Sequence, residues 1–258
     1  MKVAILAGGV GSRISEETET KPKPMVEIGG RPILWHIMKY YAAFGHRDFV
    51  IALGYKGEVI KRFMVDYASL ASERLTVSLR DGRFMTHESG LDDWRVDLIE
   101  TGQRTETGGR IKRLQPYVDN STFMLTWGDG VSNVDLDELL AFHRSHGRLC
   151  TMTAARPPAR FGHLDIGDGG VIAEFSEKPQ TGEGWINGAF FVCEPGVFDY
   201  IEGDGTSWER EPLVSMAKDG QLMAYQHYGF WQCMDTLRDR KLLETLWEGD
   251  NAPWRIWR

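Results

Sequence analysis

Near the start of the chain, Leu6-Ala7-Gly8-Gly9-Val10-Gly11-Ser12-Arg13 is followed at short distance by Lys21-Pro22-Lys23-Pro24-Met25. A glycine-rich loop lets backbone N–H groups approach phosphate oxygens closely, because no Cβ intervenes and glycine accepts positive φ. Arg13 can fork onto triphosphate oxygens, and Lys23, between Pro22 and Pro24, can set a point charge on another phosphate. The combination reads as an anion cradle rather than a turn beside two solvated cations. It is not a Walker loop, since the Gly-Lys-Ser/Thr ending is missing. Nor does it complete Gly-x-Gly-x-x-Gly, since Ile14 and polar residues follow Arg13. A nicotinamide dehydrogenase, which needs that third glycine and an acidic residue about 20 positions on, therefore ranks last.

Two aspartates are candidates for holding a cation. Asp129 lies in Trp127-Gly128-Asp129-Gly130 and Asp235 in Met234-Asp235-Thr236. Each follows an apolar stretch, and few hard protein oxygens supplemented by phosphate oxygens suit Mg²⁺. Spacing alone does not pair them, and an Asp beside Gly equally stabilises a turn. Arg110, after Gly108-Gly109, is either a surface arginine at a helix start or a donor to a ligand. The seven histidines form no metal-binding spacing and read as structural or surface residues.

These groups must be positioned by a sizeable fold. The 258 residues, 42% hydrophobic and 26% charged, suffice for one large α/β domain without staples. A formal charge of −7 argues against a sequence-independent nucleic-acid binder. Cys150, Cys193 and Cys233 suit reduced thiols better than disulfides. No apolar run approaches a membrane span or a signal peptide, so the expected location is the cytoplasm.

Val3 to Ala7 reads as a buried parallel strand, Ile33 to Phe44 as a helix and Phe49 to Leu53 as the next strand. Glu58 to Tyr67 and Thr107 to Tyr117 read as helices, the latter opened by its Gly-Gly pair. Thr76 to Leu79, Arg95 to Ile99 and Phe123 to Thr126 read as strands. The alternation predicts a Rossmann-like, mostly parallel sheet with helices on both faces and ligands at the carboxyl ends of its strands. After Cys150 the pattern changes to Thr151 to Ala155, a hairpin around Asp168-Gly169-Gly170, and Ala189 to Cys193. Helices return at Trp208 to Asp219 and Leu237 to Trp247. The expected plan is one domain over 1–258, with 150–258 continuing the sheet of 1–149 and adding a substrate-binding lobe. The tail holding Trp254 and Trp257 is expected to pack on the core or on a neighbour.

Gly8-Gly9-x-Gly11-Ser12-Arg13 with Lys21-Pro22-Lys23-Pro24-Met25 resembles the fingerprint of the sugar nucleotidylyltransferases. The longer run from Lys21 to His36 is similar to their glucose-1-phosphate cytidylyltransferase branch. So are Thr107-Gly108-Gly109-Arg110, Gly128-Asp129-Gly130, Arg160-Phe161-Gly162, Glu177-Lys178-Pro179, Ile186-Asn187-Gly188 and Met234-Asp235-Thr236. Ser12 stands where Thr is common, Trp127 where another aromatic is usual, and Cys233 where proline is usual, which predicts a less rigid loop around Asp235.

The resemblance implies that CTP and glucose 1-phosphate combine to give CDP-glucose and pyrophosphate with Mg²⁺ on Asp129 and Asp235, toward a deoxysugar for a polysaccharide. It also implies that 1–149 is mainly a nucleotide-binding half and 150–258 mainly an inserted sugar-binding lobe. It implies catalytic cations at Arg13, Lys23 and Lys178. Leu6, Ala7, Gly8, Gly9, Gly11 and Ser12 would cradle the nucleotide, with Thr105, Gly109 and Arg110 around the base. Gly162, Glu177, Asn187 and Gly188 would meet the sugar phosphate, together with Lys178 and Asp235. A homo-oligomer is expected, with no nucleic-acid or membrane partner. The alternatives are the same chemistry with UTP, dTTP or another sugar 1-phosphate, and a non-catalytic nucleotide-sugar-binding subunit.

Overall fold

The computed structural model describes residues 1–9, 18–72, 74–87, 92–156, 163–166, 172–176 and 184–257. The chain opens with β1 (Lys2–Leu6), a short β2 (Glu27–Ile28) and β3 (Arg31–Pro32), then α1 (Ile33–Ala43) and β4 (Asp48–Leu53). Next come α2 (Gly57–Ala71), a hairpin of β5 (Arg74–Ser78) and β6 (Arg83–His87), then β7 (Arg95–Glu100), α3 (Thr107–Leu114), β8 (Phe123–Trp127) and β9 (Gly130–Ser132). The later part adds α4 (Leu136–His146), β10 (Cys150–Ala155), β11 (His163–Ile166), β12 (Ile172–Ser176) and β13 (Ile186–Cys193). It ends with α5 (Glu211–Lys218), β14 (Leu222–His227), β15 (Trp231–Cys233) and α6 (Leu237–Glu248).

One seven-stranded sheet runs β14-β10-β13-β8-β1-β4-β7. β1 pairs parallel with β4 and β8, β4 with β7, and β10 with β14, whereas β13 runs antiparallel to both neighbours. β1 is buried on both faces, as a central parallel strand must be. Val3 and Ile5 join the core under α1, and Ala4 and Leu6 join the core under α3 and α5. The expected mostly parallel sheet is therefore present, with one reversed strand. β11 and β12 pair antiparallel as a hairpin requires, while its turn, Asp168-Gly169-Gly170, lies outside the described residues.

The aromatic tail packs on its own chain. Trp254 is fully buried, stacks on Phe230 at 5.7 Å, and its Nε1 donates to His36 Nδ1 at 3.4 Å. His36 Nε2 lies 2.8 Å from the Ile28 carbonyl, so these partners require a neutral ring protonated on Nε2. Burial, the largest cause, lowers the His36 pKa to about 4 from 6.5, and burial also lowers those of His46, His143 and His227. For His36, folding stability is complete above pH 6.5 and is lost as pH falls toward 4, because the unfolded chain binds the proton first. A loss of about 3 kcal/mol is expected across that window from His36 alone. Urea midpoints at pH 7.5, 5.5 and 4.5 measure it. A His36→Gln chain, which keeps a donor to Ile28, should show a shallower fall; an equal slope would acquit His36.

The β5–β6 hairpin stands off the main sheet. Register places Leu75, Val77 and Phe84 on one face with Thr86, and Leu79, in the turn that follows β5, is 93% exposed. The opposite face carries Arg74, Thr76, Ser78, Arg83 and His87, with Met85 among them.

Candidate active site

A cavity of about 830 Å³ opens at the carboxyl ends of β1 and β8. Leu6, Ala7, Gly8 and Gly9 line one side, where the strand gives way to the glycine loop. Ala7 N–H donates to the Ala52 carbonyl at 3.0 Å, and Tyr55 N–H donates to the Gly8 carbonyl at 3.1 Å, so the loop leaves the sheet along β4. Gly11, Ser12 and Arg13 lie outside the described residues, as do Gly162, Glu177 and Lys178.

The acidic centre is assembled by the small β9–β15 ladder. Cys233 pairs with Gly130, and Met234 N–H donates to the Asp129 carbonyl at 2.8 Å, which draws Asp235 alongside Asp129. The loop around Asp235 does not depend on a proline for closure. Thr236 caps α6 in a reciprocal box with Asp239, whose carboxylate also accepts from Asp235 N–H at 3.1 Å. Cys233 lines the cavity here. Burial first, then Asp235, Asp129 and Asp239, push its thiol up to about 12, so it adds no third negative charge.

Both carboxylates converge on one ammonium. Lys23 Nζ donates to Asp129 Oδ2 at 2.6 Å and also to Asp235 Oδ1. Burial acts to lower the Lys23 pKa, but the attraction and hydrogen bonds of the two aspartates outweigh it and the value is raised. The backbone of Lys23 is fixed by a 3₁₀ turn, Lys23–Met25, closed by Met25 N–H to the Pro22 carbonyl at 2.8 Å. Two hard carboxylates that already share one cation fit a divalent ion completed by substrate phosphates. Among the described residues no group of three acidic, His or Cys side chains could hold a metal without such completion.

Arg110 lies under the glycine loop. It is buried, and its Nη1 donates to the Leu53 carbonyl at 3.0 Å, Thr101 Oγ1 at 2.7 Å and the Gly102 carbonyl at 2.7 Å. Nη2 is less engaged, 3.4 Å from the Gln103 carbonyl. The guanidinium thus staples residues 101–103 to the end of β4 while still lining the cavity beside Thr105. Gly8 and Gly54 make room for it, because a Cβ on either would fall within 2.3 and 2.4 Å of Nη1. Gly109 is placed otherwise: a Cβ there would meet the Asp204 backbone at 2.6 Å, so this glycine permits α3 to pack on the 203–206 turn. Gly54 and the wall formed by Gln103, Arg104 and Glu106 went unnoticed in the sequence. A glycine directly after the apolar run Phe49 to Leu53 is a signal for Gly54, and no motif marks the wall at 103–106.

Because β13 is antiparallel, its first residues reach the same edge as the last residues of β8, with Phe190 opposite Thr126. Asn187 and Gly188 therefore line the cavity. A register shift opposite Thr153 bulges the strand there. Ala189 takes φ 59°, its N–H donates to Asn187 Oδ1 at 2.8 Å, and Trp231 Nε1 donates to the Gly188 carbonyl at 2.7 Å. Trp127 and Trp231 also border the cavity.

The profile described as Nucleotidyl transferase matches residues 2–232. The chain belongs to that family. It is 51% identical over 258 residues, covering 100% of both sequences, to glucose-1-phosphate cytidylyltransferase of Salmonella typhi. It is 30% identical over 246 residues to mannose-1-phosphate guanyltransferase of Saccharomyces cerevisiae, covering 93% of this chain and 62% of that protein. The crystal structure of HddC from Yersinia pseudotuberculosis superimposes with a TM-score of 0.68 at 23% identity, over 95% of this chain and 99% of that one, a likeness of fold. No helix among the described residues is long and apolar enough to cross a membrane. The cavity of this nucleotidyl transferase thus combines a glycine-loop wall, an acidic pair with its lysine, and the bulged start of β13.

Proposed function

We propose that the protein transfers the cytidylyl group of CTP to α-D-glucose 1-phosphate, giving CDP-glucose and pyrophosphate. The observation that carries this reading is the convergence of Lys23, Asp129 and Asp235 at the rim of the glycine-loop cavity, in a chain 51% identical to a glucose-1-phosphate cytidylyltransferase. A phosphate oxygen of glucose 1-phosphate attacks the α-phosphorus of CTP, the new P–O bond forms, and the bond to the β-phosphate breaks with its electrons leaving on pyrophosphate. The attacking phosphate is already ionised near pH 7, so the chain's task is to hold two anions in line and to stabilise the leaving charge. Mg²⁺ held by Asp129 and Asp235 would polarise the phosphoryl oxygens. Residues 6–9 cradle the nucleotide, and Lys23, with Arg13 and Lys178, neutralises phosphate oxygens. Arg110, whose Nη2 is the less engaged nitrogen, offers donors to O2 and N3 of cytosine. Asn187 and Gly188 meet the sugar, with Glu177 accepting from its hydroxyls and Gly162 leaving it room. The halves 1–149 and 150–258 then serve mainly nucleotide and sugar, within one domain working in the cytoplasm.

The same reading includes assembly as a homo-oligomer. The buried tail gives it no support, since Trp254 is fully used within the chain. The exposed Leu75, Val77, Leu79 and Phe84 of a hairpin that pairs with no other strand among the described residues do support it, because a two-stranded hairpin is marginal in water without a cover.

Pyrophosphate release with glucose 1-phosphate and Mg²⁺, compared across CTP, UTP, dTTP, ATP and GTP, tests the function. Release with CTP is expected to dominate. A preference for UTP or dTTP would overturn the assignment of Arg110 to cytosine while keeping the transfer, and silence with all five would remove the activity.

A further inference from the structure

The position of the Lys23 ammonium carries a consequence for the order in which the site fills. Its Nζ is bonded to one oxygen of each aspartate, and the side chain is largely buried, so the contact is not a surface excursion of a solvated lysine. A divalent ion such as Mg²⁺ binds carboxylate oxygens at about 2.1 Å, and an ammonium donates to them at about 2.8 Å. A metal ion placed on the same two oxygens would lie in contact with Nζ, two cations side by side in a partly desolvated place. The two occupants therefore exclude each other.

The surroundings define how the exclusion is relieved. The backbone of Lys23 cannot follow its side chain, since Pro22 and Pro24 flank it and the 3₁₀ turn closes on it. The four-carbon stem can turn without the backbone, and Lys23 lines the same cavity as Gly8 and Gly9. A phosphate resting on the glycine loop offers the ammonium a second set of anionic oxygens within the same cavity. We infer that Lys23 is the resident counter-ion of the Asp129–Asp235 pair, which it occupies in the nucleotide-free protein and surrenders when a phosphate draws it toward the glycine loop. The divalent ion then enters with or after the nucleotide and not before it. This rests on the reading of the pair as the metal-binding group. It adds that Lys23 keeps the pair closed to metal in the empty site, and that the same charge later serves the nucleotide.

Lys23 is bonded to both carboxylates at once. The Asp239 carboxylate beside the pair is committed to the backbone and hydroxyl donors that open α6.

The test uses Mn²⁺ as the probe, the full chain and no nucleotide, at pH 7.5, with free Mn²⁺ read by its electron paramagnetic resonance signal. The wild type is expected to bind Mn²⁺ weakly. Lys23→Met, checked for folding by its thermal midpoint, should bind Mn²⁺ roughly tenfold tighter or more, as removal of a unit charge a few ångströms away in a partly buried site predicts. Adding Asp129→Asn should erase that gain. An affinity within about twofold of wild type, or a gain that persists without the Asp129 charge, overturns the inference. Should Lys23→Met fail to fold, Lys23→Arg carries the test: it keeps the charge on the pair and should bind Mn²⁺ no more tightly than the wild type, and tighter binding sinks the proposal. Since no nucleotide and no turnover enter the measurement, a negative result leaves cytidylyl transfer standing, and absence of turnover with every nucleotide leaves this result standing.

Discussion

Asp129→Asn is expected to lower the rate of pyrophosphate release by about 10²–10³-fold, the size typical of removing a preorganised electrostatic contact from a phosphoryl-type transition state. Asparagine keeps the shape of the side chain and removes its charge, so the loss falls on the cation site and not on the fold. Asp235→Asn should cost a similar factor. The informative result is the double variant. Both carboxylates converge on one cation position, marked by their shared bonds to Lys23. Groups that act as a unit are not additive, so the double variant should be scarcely slower than the worse single one. Losses that multiply would mean that the two aspartates serve separate steps. The thermal midpoints should change little, because Lys23 keeps one carboxylate partner in either single variant and the pair is partly exposed.

Gly8→Ala should be the most damaging small substitution in the glycine loop. The added methyl would fall 2.3 Å from Arg110 Nη1 and 2.6 Å from its Cζ. A free arginine would step aside, but here Nη1 is bonded to Leu53, Thr101 and Gly102 together. Either the guanidinium leaves three acceptors or the loop lifts from the sheet. Overpacking of this kind typically costs about 1–3 kcal/mol of stability, and displacement of the loop should raise KM for the nucleotide and lower kcat/KM about 10²-fold. Arg110→Ala removes the obstacle along with the staple. The chain carrying both changes should therefore perform no worse than Arg110→Ala alone, a coupling that a double-mutant cycle measures directly. If the two losses add, Gly8 matters for a reason other than room for Arg110.

The central sheet was legible because its strands are short apolar runs that end at glycines. Val3 to Ala7 and Phe49 to Leu53 fall within a residue of β1 and β4. Strand direction was not legible, since nothing in Ile186 to Cys193 states that β13 runs against its neighbours; that follows from the connections and from its pairing with β8 and β10. β6 was missed because Phe84 and Met85 are adjacent and both exposed, which breaks the alternation that marks a half-buried strand. The Gly108-Gly109 pair does open α3, in its first turn, but its second role was not legible: both glycines admit the backbone of residues 204–208. In the site, residue types were enough to single out Lys23, Asp129 and Asp235 as ionic groups. Their meeting depends on a three-residue ladder between β9 and β15, too short to leave a periodic signal. Arg110 was visible as a cation but not as a staple, since its partners are mainly backbone carbonyls, which every sequence has and none advertises.

The reversed strand also sets a timetable for synthesis. β1 precedes the other strands of the sheet in chain order, yet it lies in the sheet's interior, and its second neighbour, β8, follows only after residue 122. β13, which covers the other edge of β8, comes later still, and Asp235 follows β13. The sheet as far as β8 thus waits with an open edge, and the acidic pair closes only when β15 docks on β9. A chain synthesised only as far as β13 therefore holds its glycine loop without both carboxylates, and their meeting waits on the β9–β15 ladder.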